Sequence, residues 1–401
     1  MTSIKSMLLQ NEAEINYLGL VNDALAALYV CVTINMQSTA LVDSAVLVMF
    51  CMVTFINVYL HGAKAGLVMV WGFAFFGFCI ISSLWAYSAS GAMSLSRVLI
   101  KRVLLVFFLN LYTTSFKKAT IVLKSVVISG VILLARLLFS APLSQWGSSR
   151  LGSNIGLNPN SVGIVCVFAA LLCLQYSDKR KIYYLGFSAF TVAALFSGSR
   201  KAFISLFIVI FMYFINKIKK PSRLFYLAPL LALFYLLYYF SMNNPMLYHM
   251  LGRRMEYLFN YFRGEGDIGE SVYIRMDLIS IGIEQFKSKM LFGYGINSFQ
   301  YMNRYNYYAH NNYIEILVNY GIMGIVLFYG FQAAVFLKLC YIWLTQTREI
   351  IFLVITMVVI FVNDYGRVSY YSPLNIIMLV VSCCIVVLYS QGGDLKFEKQ
   401  L

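Results

Sequence analysis

Charge is scarce in this chain. Asp, Glu, Lys and Arg make up 12% of its 401 residues, about half the roughly 25% of a soluble domain. That excludes an ordinary water-soluble fold. Histidine is scarcer still, with three residues, at 61, 249 and 310. The eight cysteines (31, 51, 79, 166, 173, 340, 383 and 384) all lie in or at the end of apolar segments, with no C-x-x-C pair. They read as packing residues, not as disulfides or metal ligands. No tandem repeat and no low-complexity tract interrupts the chain. No cleavable signal peptide is expected, because Lys5 is followed by a polar stretch instead of a compact apolar core.

What is abundant is hydrophobic sequence, at 61%. A helix needs roughly 20 apolar residues to cross a bilayer. The hydropathy divides into about twelve such segments, near 17–35, 41–60, 65–87, 98–115, 119–139, 160–177, 182–197, 202–216, 224–241, 315–340, 350–362 and 374–390. The chain therefore reads as one all-α, polytopic membrane domain spanning 1–401, with a single large insertion at 242–312. Within the insertion, Tyr248–Arg263 and Val272–Lys289 carry apolar residues at helical spacing: Leu251, Met255, Leu258 and Phe262, then Ile274, Leu278, Ile281 and Phe286. These read as amphipathic helices lying on a membrane or over a cavity. Gly264–Glu270 between them, with three carboxylates, reads as a solvated link.

Orientation comes from the short basic loops. Lys117-Lys118, Asp178-Lys179-Arg180-Lys181 and Lys217–Arg223 fall on one face, which the positive-inside rule makes cytoplasmic. Both termini then lie inside, and the insertion with the links at 88–97, 140–159, 197–201 and 363–373 lies outside. The outer face is basic too, with Arg97, Lys101, Arg102, Arg150, Arg200, Lys201, Arg253, Arg254, Arg263, Arg275, Lys287, Lys289, Arg304 and Arg367. Arg136 sits about one turn inside its apolar segment. Snorkelling explains part of this set. An anion held at the outer leaflet explains more, since guanidinium forks suit phosphate. Nucleic acid is excluded as that anion, because the cations are scattered over a membrane protein's outer surface.

Four segments invite chemistry. Ser197-Gly198-Ser199-Arg200-Lys201 reads either as a tight turn with a snorkelling arginine or as a diphosphate clamp with small residues around it. Arg150–Asn160 is a turn-rich loop whose Asn160 or Ser161 suits a helix cap; Arg150 is a candidate cavity residue. Arg275, in Val272–Asp277, is either a solvated residue or a ligand contact. His310-Asn311-Asn312-Tyr313-Ile314-Glu315 sets an imidazole where a helix begins at 311 or 312. The positive end of that helix disfavours imidazolium and leaves a neutral base. Asn311 and Glu315, four apart, share a helix face.

Together with Ser83-Leu-Trp-Ala-Tyr-Ser88 and Gly293-Tyr294-Gly295, these segments resemble, in order and helix count, the O-antigen ligase/polymerase family of bacterial membrane glycosyltransferases (the Wzy and WaaL proteins), most nearly a Wzy-type repeat-unit polymerase of O-antigen or capsule clusters. The resemblance implies a GT-C-like fold with a large periplasmic loop in the inner membrane. It implies an undecaprenyl-diphosphate-linked oligosaccharide donor and acceptor, no metal and no cofactor. The absence of a D-x-D constellation among the outer segments is in keeping with that. In the family, arginines matching Arg200 and Arg275 serve the donor diphosphate, and a histidine matching His310 activates the acceptor. Arg150, Lys101, Arg102, Asn311 and Glu315 are placed with them as substrate-binding candidates. A Wzz-like chain-length regulator and a Wzx-like flippase are the implied protein partners. The alternatives are a ligase that passes glycan to lipid A-core, and, from another class, a non-catalytic polysaccharide transporter. A transporter would show internal repeats and ionisable groups near the bilayer midplane.

Overall fold

The computed structural model describes residues 17–36, 40–62, 65–140, 146, 150–153, 156–218, 225, 227–248 and 252–391. The N-terminal stretch after Lys5, the cytoplasmic-loop cations 219–223, His249 and Leu251 lie outside the described residues, as do the side chains of Leu258 and Phe262.

Each of the twelve expected segments is helical. In chain order they are α1 (Tyr17–Asn35), α2 (Ala40–His61), α3 (Leu67–Ile81, continued by a 3-10 turn Ser82–Trp85), α4 (Ala89–Tyr112), α5 (Phe116–Ser140), α6 (Pro159–Ser177), α7 (Ile182–Phe196), α8 (Arg200–Lys217) and α9 (Leu227–Asn243). The insertion contributes α10 (Arg253–Arg263), α11 (Glu270–Ser288) and the short α12 (Ser298–Met302). Then come α13 (Asn312–Ile325), a π turn (Val326–Gly330), α14 (Phe331–Thr345), α15 (Ile351–Asp364) and α16 (Pro373–Ser390). No strand occurs among the described residues, and the chain is a polytopic helical membrane protein.

Among the described residues, seven stretches are long and apolar enough to cross a membrane: α1, α2, α3 with its 3-10 turn, α5, α6, the stretch of α13 with α14, and α16. The other five are short, as α7, α9 and α15 are at 15, 17 and 14 residues, or carry cations, as α4 and α8 do. α4 begins nine residues earlier than hydropathy suggests. Its first turns, Ala89–Ser96, are small and weakly hydrophobic, but Ser88 Oγ caps them by accepting from Gly91 N at 3.2 Å.

α6 is apolar all round and sits at the centre, 89% of it buried against 28% for α2. Hydrogen bonds sort the connections into two ends. At one end, Lys217 pairs with Asp178, and Trp343 Nε1 donates to Asn216 Oδ1 at 2.8 Å. At the other, the links near residues 82–91, 150–160, 197–201, 293–312 and 364–372 bond to one another. There Tyr87 N donates to Ser298 Oγ (2.9 Å) and Ile296 N to Ser82 Oγ (2.9 Å). Arg136 does not snorkel: its Nη1 donates to Asn35 O at 2.6 Å and so covers a free carbonyl at the end of α1.

α13 is broken where it meets the G-Y-G segment. Gly321 takes φ 66° and ψ −162°, which no helix continues through. The carbonyls of Val318 and Asn319, freed by the break, accept from Tyr294 N (2.9 Å) and Gly295 N (2.8 Å). The amides of Ile322 and Met323 donate to Met290 O (2.8 Å) and Leu291 O (3.2 Å). Unpaired backbone is costly at a membrane boundary, and the loop supplies every missing partner. From Ile322 to Thr345 the helix runs about 36 Å at 1.5 Å per residue, enough to span a bilayer alone. The turns before the break, with His310 just ahead of them, are therefore not needed to cross it.

Candidate functional site

Three walls meet at the loop-rich end. The first is the three-residue turn between α7 and α8. Gly198 supplies a left-handed φ of 58°, and Ser199 Oγ caps α8 by accepting from Ala202 N at 3.4 Å. Arg200 and Lys201 thus stand on the first turn of α8. A Cβ on Gly163 of α6 would lie 2.7 Å from both Ser197 Oγ and Ala202 Cβ, so the small residues of this turn serve close packing. Arg150 braces it, donating from Nε to Ser197 O (3.3 Å) and from Nη2 to Asn160 Oδ1 (3.1 Å).

The second wall is α11, which carries Arg275. It is fastened to α13 by a separate small core of Leu278, Phe299, Ala309, Ile314 and Val318. Gly282 permits the approach: a Cβ there would meet Ile314 Cγ2 at 2.3 Å.

The third wall is the loop into α13. Asn303 folds it, with Nδ2 donating to Phe299 O (2.6 Å) and Tyr307 O (2.7 Å). Asn311 is the N-cap of α13, its Oδ1 accepting from Tyr313 N (3.0 Å) and Ile314 N (3.2 Å). Glu315 reaches back to accept from Ala309 N (2.7 Å), and its other oxygen accepts from Asn319 Nδ2 (2.9 Å). Between these fixed points His310 is held at φ 54°, a left-handed conformation uncommon for a residue with a side chain. Such strain persists only where surrounding bonds impose it, and it concentrates at functional sites. The imidazole lies 4.2 Å from the Tyr308 ring centroid and edge-on to Tyr307 at 6.3 Å. Neither ring nitrogen has a hydrogen-bond partner among the described residues.

The walls bring their charges together. Lys201 lies within electrostatic reach of Arg275, Arg367, Arg200 and Arg150. Burial first, and then Arg275 and Lys201, push the His310 pKa down to about 4, so the imidazole is neutral at physiological pH. Burial likewise lowers Arg275 below the usual guanidinium range, against the opposing pull of Tyr308. All five cations and His310 are partly exposed, so a ligand can reach them.

The expected site residues thus separate. Arg275 and Lys201 converge on His310, while Arg200 and Arg150, which also braces the turn, lie within electrostatic reach of Lys201. Glu315 is 2% exposed, with both oxygens engaged within the protein, and the Asn311 carboxamide oxygen is taken by the cap. In the structure both side chains support the His310 loop. Lys101 pairs with Asp43 at 3.2 Å. Buried Arg102 donates from Nε to Tyr371 O at 2.8 Å. Neither is among the charges that act on His310, and the structure places both in contacts within the protein. Sequence reasoning placed Lys201 and Arg367 on the outer face without assigning them to the site. Adjacency to Arg200 was a usable signal for Lys201; for Arg367 there was only its position in an outer link.

Residues 185–329 match the family model described as O-antigen ligase. Over that stretch the chain is similar to the O-antigen ligase/polymerase family. The matched stretch runs from α7 into the π turn, and so holds Arg200, Lys201, Arg275 and His310. Arg150 and Arg367 come from outside the family domain yet stand beside its cations. A comparison with curated proteins finds no match.

Proposed function

We propose that this chain is a polysaccharide polymerase of the bacterial inner membrane. It transfers a growing glycan from undecaprenyl diphosphate to the non-reducing end of another lipid-linked repeat unit at the periplasmic face. The observation that carries the reading is the convergence of Arg275 and Lys201 on a neutral His310 held in a strained conformation.

The chemistry follows from what each group can do. The acceptor hydroxyl oxygen bonds to the anomeric carbon as the bond from that carbon to the diphosphate oxygen breaks. The hydroxyl proton passes to a ring nitrogen of His310, and the electron pair leaves with undecaprenyl diphosphate. Fixed cations in a partly dry site stabilise the departing charge, work often worth several kcal/mol per key group. Positioned proton transfer adds roughly 10²–10⁴-fold. Attack opposite the leaving group inverts the anomeric centre. In the free protein His310 is a weak base, because burial first, and then Arg275 and Lys201, disfavour its protonated form. A bound diphosphate offsets those cations and raises its basicity when the donor is in place. Fixed cations offer this stabilisation without a metal ion, which supports a metal-independent reaction.

The purified protein given one defined undecaprenyl-diphosphate repeat unit tests the reading. Elongation without lipid A-core supports a polymerase. Transfer that appears only when lipid A-core is added supports the ligase alternative.

A further inference from the structure

The link between α15 and α16, Asp364–Ser372, is tied to the arginine turn, to α4 and to α13. Lys201 Nζ donates to Gly366 O, tying it to the arginine turn. Arg102 Nε donates to Tyr371 O, tying it to α4. The hydroxyls of Tyr370 and Tyr320 meet at 3.0 Å, next to the break in α13. The densest attachment is to the residue two beyond His310. Asn312 Nδ2 donates to Asp364 Oδ2 (3.1 Å), while Asn312 Oδ1 accepts from Ser369 N (2.8 Å) and Tyr370 N (3.0 Å). Tyr329 donates to the same Asp364 oxygen at 2.8 Å, and Ser369 Oγ donates to the other. Asp364 and Asn312 are fully buried. Arg367, by contrast, is partly exposed. It makes one hydrogen bond, from Nη2 to Ser372 Oγ at 3.1 Å, and lies within electrostatic reach of Lys201, Tyr308 and Asp364. A guanidinium with four further N–H donors near Lys201, which itself lies within reach of three other arginines, is arranged to meet an anion.

We propose that the Asp364–Ser372 turn forms a further wall of the anion site, with Arg367 binding the diphosphate and Asp364 acting through Asn312 to position Arg367 against His310. The inference rests on the functional reading above and extends the site beyond the matched family domain. Asp364 does not reach a ligand; it is a positioning residue. An asparagine there keeps the volume but loses an acceptor that Tyr329 and Asn312 now share. Were Asp364 only a counter-charge to Arg367, that change would tighten anion binding. Positioning predicts the opposite.

The test is binding of inorganic diphosphate to the detergent-solubilised full chain, read by thermal shift, with KM and kcat measured separately for a lipid-linked donor. Arg367→Ala is expected to weaken diphosphate binding by roughly tenfold or more, as for loss of a charge-assisted hydrogen bond. It is expected to raise KM more than it lowers kcat, and Arg367→Lys is expected to recover part of the loss. Asp364→Asn is expected to weaken binding as well; Tyr329→Phe, which removes one donor to the same oxygen, gives a milder loss and serves if the asparagine variant does not fold. Undiminished diphosphate binding in Arg367→Ala, with binding lost in Arg275→Ala, overturns this inference and leaves the functional reading standing. Tighter binding in Asp364→Asn overturns the positioning role. Undiminished binding in both arginine variants overturns the reading itself.

Discussion

Glu315 Oε2 accepts the backbone N–H of Ala309 at 2.7 Å, and this bond fixes the Tyr308–Ala309 peptide, one residue ahead of His310. The same carboxylate holds Asn319, whose Oδ1 accepts from Phe299 N at 2.9 Å. Glu315→Gln cannot satisfy both partners, since its amide nitrogen would face a donor. One buried group left unpaired costs about 1–3 kcal/mol. The expected result is a lower unfolding midpoint and a transfer rate reduced by about tenfold from a loosened His310 loop. Thermal unfolding and initial rates in detergent check it; unchanged values in both would remove Glu315 from the loop's support.

The break at Gly321 gives a second prediction. A Cβ there would lie 2.4 Å from the Leu291 carbonyl carbon and oxygen, at a φ of 66°. The left-handed conformation alone costs about 1–2 kcal/mol in a residue with a side chain. Gly321→Ala is expected to destabilise by more than that, with a marked fall in folded yield, while Gly330→Ala, whose Cβ meets open space, is expected to be tolerated. Size-exclusion profiles of the two variants decide it.

The fold was largely legible because crossing a bilayer demands long apolar runs, and all twelve were visible in hydropathy. The start of α4 was not, because Ser88 and the small residues after it signal through a cap and not through hydrophobicity. Arg200, Arg275 and His310 were found because each stands in a segment of unusual composition. Arg367 and Asp364 sit more than fifty residues after His310 in a short polar link, with nothing local to mark them. The bonds from Asn312 to Asp364, Ser369 and Tyr370, and from Lys201 to Gly366, bring the link beside His310 and the arginine turn. The hydrogen bonds of Glu315 were not legible for the related reason that spacing reveals which residues share a face, not which partners occupy them.

His310 sets a pH signature. With its pKa lowered to about 4, the free protein holds the neutral form above that value and loses it as pH falls through it. The acid limb of kcat/KM is therefore expected near pH 4. The limb of kcat is expected at higher pH, because bound diphosphate offsets Arg275 and Lys201 and favours the imidazolium. Rates at limiting and saturating donor separate the two limbs. Coincident limbs, or a kcat limb below that of kcat/KM, would contradict the proposed coupling.

Orientation is open to a labelling test. Tyr307 is 53% exposed beside His310, and Lys179 is exposed at the opposite end. In intact cells, a membrane-impermeant maleimide is expected to modify Tyr307→Cys and spare Lys179→Cys until the inner membrane is opened. The reverse pattern would put the site on the cytoplasmic side.

The most direct measurement uses purified protein, one defined undecaprenyl-diphosphate repeat unit and excess EDTA, followed by sizing of the lipid-linked product. The account predicts elongation by the unaltered protein, lost by at least about a hundredfold in His310→Ala and lost similarly in Arg275→Ala, with both variants folded. Full-length polymer from either variant, or elongation restored only by adding a divalent metal, would contradict it.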